Sequence, residues 1–334
     1  MKFNFKALLA AAGVAAFAFS PAEAYEAGPS QTKSGSFIGA SAGMPPPGIY
    51  MFNQVFTYQT NLVGPNAPDH FGRNIYVDVQ GFIFVPGWTF LGATYDALIV
   101  QPFVAAALSD PAPLNISGVF DTYIVPIELA WTKIAGTSFA VKTGLGIYVP
   151  TGTIQGPLGI GNVGSPFVTW QPELALSYLG GGWNLTAFGY VEVNEANSRT
   201  NYTSAPVYHV DWTATYTIGK WTFGPVGYWY GQLSDDKCPV GVCTAFYGLD
   251  ALAGHTQRFS VAAIGGLIEY NFGPASASVW ITQDVYSKAG PNSFAAALAE
   301  PDGSLISRGL TVFGTLSYAL WNPPAPPAAP MIHK

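Results

Sequence analysis

The sequence predicts an all-β fold, a transmembrane antiparallel β-barrel of about 12 strands with short periplasmic turns and long extracellular loops. Only 10% of the 334 residues are charged, whereas 15% are aromatic, and a soluble domain typically has about a quarter charged residues. After residue 24 no apolar stretch approaches the roughly 20 residues of a membrane helix. The hydrocarbon core admits only helices and closed barrels, so a barrel remains. The alternative, a soluble β-sandwich, does not explain the scarcity of charge.

The first 24 residues predict a secretory signal peptide. Lys2 and Lys6 provide a positive start, residues 7–19 are an unbroken apolar run, and Ala22-Glu23-Ala24 matches a small-residue cleavage site. An amphipathic helix is the alternative, but the run has no polar face. Cleavage leaves 13 − 2 = 11 basic and 19 − 1 = 18 acidic residues, so no basic surface for nucleic acid is expected. We therefore expect export to the bacterial outer membrane.

The predicted barrel spans residues 48–321. Twelve segments rich in aromatic and β-branched residues are interpreted as strands: 48–60, 73–86, 88–107, 116–132, 137–150, 167–180, 182–195, 206–219, 221–234, 257–272, 274–287 and 308–321. Tight Gly- or Pro-containing joints alternate with long polar stretches between them, which is typical of bacterial barrels. An even strand count also places both chain ends in the periplasm.

Alternation within the strands predicts which side chains face the lumen. In 208–218, for example, His209 and Asp211 have the opposite parity to Trp212, and a period of two sends the two sets to opposite faces. A charge facing lipid costs roughly 2–4 kcal/mol near the midplane. The charged and titratable residues expected to line the lumen are Asp78, Asp96, Glu128, Lys142, Glu173, Glu192, His209, Asp211, Arg258 and Asp284.

Two interpretations of this set stay open. Because acidic groups outnumber basic ones, the lumen could disfavour anions and admit neutral or cationic solutes. Alternatively, the carboxylates only satisfy the interior by pairing with Lys142, Arg258 and tyrosine hydroxyls. At the short-turn side we expect an aromatic girdle, formed by Trp88, Trp131, Trp183, Trp221 and Trp321.

Two flanking segments and one loop lie outside this pattern. Residues 25–47 are expected to lie at the periplasmic mouth as a partial plug, and the Pro-rich tail 322–334 cannot join a β-ladder. Cys238 and Cys243 are predicted to form a local disulfide in an oxidising compartment. Metal binding by this loop is the alternative, with His255 as the nearest further ligand.

Catalysis has little support in the sequence. His209 and Asp211 share one strand face and could form a proton relay, yet no Gly-x-Ser-x-Gly nucleophile motif occurs. We expect neither an enzyme, nor a cofactor, nor a metal site. An outer-membrane hydrolase that uses His209 is kept as an alternative.

Several motifs resemble the outer-membrane proteins grouped as the phenol meta-pathway degradation family, over about residues 38–321. The resemblance rests on residues 44–50, 101–103, 148–152, 201–204, 209–211 and 224–236, which read MPPPGIY, QPF, YVPTG, NYTS, HVD and GPVGYWYGQLSDD. It implies a barrel that assists the uptake of hydrophobic or aromatic compounds. The cysteine loop and the Pro-rich tail depart from the family pattern.

Together, these observations predict a monomeric channel for small hydrophobic or aromatic, phenol-like solutes. Its expected partners are outer-membrane lipid, the solute, and the barrel-assembly machinery during biogenesis. A structural or adhesive barrel whose lumen is closed by its own side chains is the competing hypothesis.

Overall fold

The computed structural model describes residues 30–63, 73–108, 114–154, 163–234, 236–237, 258–289 and 306–323. These residues form fourteen strands and one turn of 3-10 helix, Ile134–Gly136. The strands are β1 Gly48–Val63, β2 Arg73–Val85, β3 Thr89–Phe90, β4 Ala93–Leu108, β5 Leu114–Val119, β6 Thr122–Trp131, β7 Phe139–Val149, β8 Thr169–Gly180, β9 Trp183–Asn194, β10 Val207–Ile218, β11 Trp221–Gln232, β12 Phe259–Asn271, β13 Ala275–Ala289 and β14 Ile306–Trp321.

The strands form one closed antiparallel barrel. Each long strand pairs with its neighbours in sequence, and β1 closes the sheet by pairing with both β2 and β14. The two-residue β3 only extends the β4 edge, while β5 and β6 pair with successive parts of β4 and share one position in the wall. The barrel wall therefore contains twelve strand positions, which confirms the predicted fold and strand count.

The connections differ sharply between the two ends of the barrel. At one end, here the short-turn end, β8–β9 and β10–β11 are joined by two residues each, and Gly181 and Gly182 adopt the positive φ of 61° and 89° that glycine permits. At the other end, here the long-loop end, the connections have nine or more residues, apart from the five between β4 and β5 and the two-residue β5–β6 break. The predicted alternation of turn lengths is confirmed. In the part of the chain just described, no helix is long and apolar enough to cross a membrane.

The outward face of the barrel is apolar. Along β8, Leu174 and Leu176 are exposed while the alternating residues Glu173 and Ala175 are buried, so the period-two pattern separates the outside from the lumen. The five tryptophans expected in the girdle all lie at the short-turn end, and four of them are exposed by about half or more: Trp88, Trp183, Trp221 and Trp321.

The inside of the barrel is occupied by residues 30–42. Gln31 donates from Nε2 to Ser165 in the connection after β7, at the long-loop end, over 2.7 Å. The backbone N–H of Ala42 donates to Ser177 near the short-turn end of β8, over 2.8 Å. The segment therefore descends through the lumen from one end to the other. The predicted position at the periplasmic mouth is wrong for these residues, which lie far deeper.

Candidate functional site

The lumen holds the N-terminal segment through side chains on β10. Inward positions of this strand are spaced by two residues, and successive members contact successive parts of the segment. His209 Nδ1 lies 2.8 Å from Ser34 Oγ, Asp211 accepts the backbone N–H groups of Gly35 and Phe37, and Thr213 Oγ1 accepts that of Gly39. We call His209, Asp211 and Thr213 the β10 ladder, and it sets the position of the segment along the barrel axis.

Two buried carboxylates bind backbone N–H groups of the segment. Asp211 Oδ1 and Oδ2 lie 2.8 and 3.0 Å from the nitrogens of Gly35 and Phe37. Glu192 Oε2 and Oε1 lie 3.0 and 2.7 Å from the nitrogens of Gln31 and Thr32. Both acids are at most 1% exposed, and hydrogen bonds to a charged acceptor are about twice as strong as neutral ones. Their charge therefore anchors the chain's own backbone.

Aromatic rings support the same segment. The His209 ring is stacked between Tyr190 and Tyr230, with centroid distances of 4.4 and 5.5 Å and interplanar angles of 7°. Phe37 is stacked on Phe188 at 4.4 Å. The Thr32 hydroxyl donates to Gln171 Oε1 and is also hydrogen-bonded to the Tyr148 hydroxyl. The segment is thus held by packing as well as by polar contacts.

The hydrolase alternative can be compared with this geometry. Ser34 Oγ and His209 Nδ1 are hydrogen-bonded, and His209 Nε2 lies 3.6 Å from Glu192 Oε1. These are the residue types of a nucleophile, a base and an acid. However, Ser34 is 1% exposed, and both Glu192 oxygens already accept backbone N–H groups. The arrangement is accounted for by anchoring of the segment.

A second group of charges lies toward the short-turn end. Lys142 Nζ lies 3.0 Å from Glu128 Oε1, and Asp96 and Glu173 are buried close to this ion pair along the same cavity. Glu173 accepts hydrogen bonds from Tyr123 and Gln171. A buried carboxylate needs such hydrogen bonds to offset its desolvation.

Asp284 has a structural environment of its own. Its carboxylate accepts hydrogen bonds from the hydroxyls of Tyr58 and Tyr228 and from the backbone N–H of Gly309. Because tyrosine hydroxyls, backbone N–H groups and one lysine satisfy most of these acids, the interpretation that the carboxylates serve the interior is favoured for Glu128, Glu173 and Asp284.

Two residues of the predicted lumen set do not lie in the lumen. Asp78 lies on the outward face of β2, beside exposed Tyr76, and its Oδ1 accepts a hydrogen bond from Asn53 Nδ2 at 2.6 Å. Arg258 precedes β12 at the long-loop end, on the outward parity of that strand, and is exposed. The inward prediction is wrong for both. Cys238 and Cys243 lie outside the described residues.

The reason for the error at Asp78 is that the inner face of β2 is aliphatic. Ile75, Val77 and Val79 on that face line a cavity of about 450 Å³. Leu98 and Val100 of β4 continue the same apolar wall. A rule that assigns polar residues to the lumen fails where the lumen itself is apolar. The sequence signal for this cavity is that aliphatic residues share one parity in β2 and also in β4.

The cavity lies between the segment and the β1–β2–β4 wall. Phe37 and Ile38 of the segment line one side, Phe52 and Phe56 of β1 line another, and the Lys142–Glu128 pair lies along it. An apolar cavity of about 150 Å³ is enough to bind benzene. This cavity is therefore large enough for a one-ring aromatic molecule.

A comparison with known protein families identifies the family of this chain. The family described as "Putative MetA-pathway of phenol degradation" matches residues 59–298, more than half of the chain. The chain belongs to this family. The resemblance inferred from short motifs is thereby confirmed.

One solved structure shows the same fold at low sequence identity, and two others are reported for comparison. A COG4313 outer membrane channel from Pseudomonas putida F1 is 12% identical, covers 86% of this chain and 99% of its own, and gives a TM-score of 0.65. The β domain of the Bordetella autotransporter BrkA (12% identity, 81% and 99% coverage) gives 0.43. The TodX monoaromatic hydrocarbon channel (11%, 83% and 91%) gives 0.38. No curated protein matches the chain.

Proposed function

We propose that this family member is an outer-membrane channel for small hydrophobic solutes, with one-ring aromatic molecules as the substrate class. The observation that carries the proposal is the largely apolar cavity beside the N-terminal segment inside the barrel. Aliphatic side chains from β2 and β4 line it, among them Val79 and Val100. Such a surface offers a neutral apolar solute a favourable transfer from water. The aliphatic part of this surface offers a salt or a sugar no such gain.

The family name agrees with this substrate class, since it refers to phenol degradation. Exposed apolar side chains around the barrel suit a position in a bilayer, and the tryptophans at the short-turn end suit an interface. We further propose that the short-turn end faces the periplasm and that residues 1–24, which lie outside the described part of the chain, direct export. A monomer and assembly by the barrel-assembly machinery are part of the same proposal.

The N-terminal segment is proposed to act as a partial plug, leaving the cavity beside it as the route. A structural or adhesive barrel is the competing function, and the filled lumen at the β10 ladder is the observation in its favour. We propose no catalytic role, because Ser34 is buried and Glu192 is committed to the segment. Unchanged background esterase activity in His209→Ala would agree with this.

Uptake of labelled phenol and toluene tests the proposal. Outer-membrane vesicles that carry this protein are compared with vesicles that lack it, because a lipopolysaccharide leaflet slows unaided entry of apolar solutes. We expect faster uptake in vesicles that carry the wild type. The Val79→Trp variant should lose this increase, because Val79 lies on the inner face of β2 and the larger side chain fills the cavity. Phe82→Trp is the matched control, since Phe82 lies on the outward face of the same strand.

No difference between vesicles with and without the protein would refute the channel and favour the closed barrel. Equal loss in both tryptophan variants would instead show that the cavity is not the route. Heat-modifiable migration of each variant on unboiled gels establishes that it has folded.

A further inference from the structure

The ammonium group of Lys33 lies in a cage of tyrosine rings inside the barrel. Its Nζ is 4.2 Å from the ring centroid of Tyr58, 4.7 Å from that of Tyr228 and 5.9 Å from that of Tyr230. The three rings come from β1 and β11 and are at most 2% exposed. A cation over aromatic faces is attracted by the ring quadrupoles, and more strongly where water is excluded. We call these three residues the tyrosine cage.

The carboxylate of Asp284 lies next to the tyrosine cage. Asp284 accepts the hydroxyl hydrogens of Tyr228, over 2.6 Å, and Tyr58, over 3.2 Å. It is 2% exposed. Its negative charge fixes the orientation of both hydroxyls and adds a favourable potential for any cation placed among the rings. The site therefore contains both elements of an ammonium receptor, aromatic faces and a nearby fixed anion.

The cage also has a directional contact. Lys33 Nζ donates a hydrogen bond to the Tyr228 hydroxyl over 3.3 Å. Only an ammonium that keeps an N–H can make this bond, so the geometry selects primary over quaternary ammonium groups. Lys33 and Tyr58 also line the apolar cavity, so an occupant of the cage can place an apolar tail in that space.

We propose that the tyrosine cage with Asp284 is a binding site for primary alkyl- and aralkylammonium ions, and that Lys33 is its tethered occupant. The lysine side chain is an n-butylammonium joined to the backbone, and its charged end defines the class of ligand. A free ammonium ion competes with Lys33 for the same rings. This proposal does not rest on the proposed solute transport, because it concerns the binding of an ammonium ion and not its passage through the barrel.

Calorimetry with full-length protein in detergent tests the site, with n-butylammonium chloride as the probe and n-butanol in equimolar NaCl as the uncharged control. Lys33→Ala vacates the cage, whereas Lys33→Met removes the charge but keeps the volume filled. We expect the alanine variant to bind butylammonium on the order of ten-fold more tightly than butanol, and at least ten-fold more tightly than wild type or the methionine variant. Tetramethylammonium is expected to bind more weakly than butylammonium.

Absence of butylammonium binding to Lys33→Ala, or equal binding of butanol, would overturn the proposal. Equal binding of butylammonium by wild type, Lys33→Met and Lys33→Ala would also overturn it, because the ion would then bind outside the cage. If Lys33→Ala does not fold, refolding with butylammonium is the second measurement. Recovery of heat-modifiable barrel with the ammonium but not with butanol supports the site, and no recovery with either counts against it.

Discussion

Replacement of Asp211 with Asn should weaken the docking of the N-terminal segment on the β10 ladder without changing the barrel. The carboxylate accepts two backbone N–H groups, from Gly35 at 2.8 Å and from Phe37 at 3.0 Å, and is 1% exposed. An amide of the same shape has one acceptor oxygen, and its NH₂ group then faces the second N–H as donor against donor. One of the two bonds is lost.

The size of the effect follows from that single bond. A hydrogen bond to a charged group contributes about 1.5–3 kcal/mol, and removal of its acceptor leaves a buried N–H unpaired. Removal of a buried charge offsets part of this cost. We expect docking of the segment to weaken by about 2 kcal/mol, which corresponds to roughly 30-fold in its equilibrium constant.

Hydrogen exchange of purified barrels measures this directly, because exchange of protected amides reports local opening. The amides of Gly35 and Phe37 should exchange roughly 30-fold faster in Asp211→Asn, while strand amides of β10 keep their protection. Asp78→Asn is the matched control, since Asp78 lies on the outward face of β2, where it accepts a hydrogen bond from Asn53. Unchanged exchange in the segment would refute the anchoring role of Asp211, and equal acceleration of the strands would show a general loss of stability.

Three further substitutions test the packing inside the barrel. Phe37→Ala removes the stack on Phe188 at 4.4 Å and should weaken docking by about 2 kcal/mol, seen as faster exchange of the segment alone. Gly35→Ala forces a side chain onto φ +94° with its Cβ 3.0 Å from a neighbouring ring, so about 1–2 kcal/mol of docking should be lost in the same assay. Lys142→Met leaves Glu128 buried without its cation and should lower the free energy of unfolding by about 3–5 kcal/mol in denaturant titrations; the double variant with Glu128→Leu should recover much of it, and no recovery would contradict the pairing.

The wall of the barrel was predictable from sequence because strand and turn signals are local. Period-two alternation, glycine at positive φ in turns such as Gly181, and tryptophans beside the turns all act over a few residues. The facing of β2 was not predictable by the same rule. Both of its faces carry apolar side chains, since Val77 lines a cavity while Phe82 faces outward, and so the charge at Asp78 misled the assignment.

The position of the N-terminal segment was not predictable for a different reason. Apart from Phe37 and Ile38, residues 30–42 are mostly small or polar, and they carry no periodic pattern. Their partners lie far away in sequence: 176 residues separate Gly35 from Asp211, and 245 separate it from Trp280, which donates to its carbonyl. The inward residues of β10 were found by parity, yet parity does not tell whether a buried carboxylate meets a solute or the chain's own backbone.

The path of residues 30–42 also has a consequence for the order of folding. Their partners come from strands early and late in the chain, from Gln54 of β1 to Trp280 of β13. Such contacts of high sequence separation form late, because the loop between the partners must first close. Residues that precede every strand in the chain therefore acquire their structure after the strands have paired. A refolding experiment should show strand formation preceding protection of the Gly35 amide, with the closed barrel serving as the template for the segment inside it.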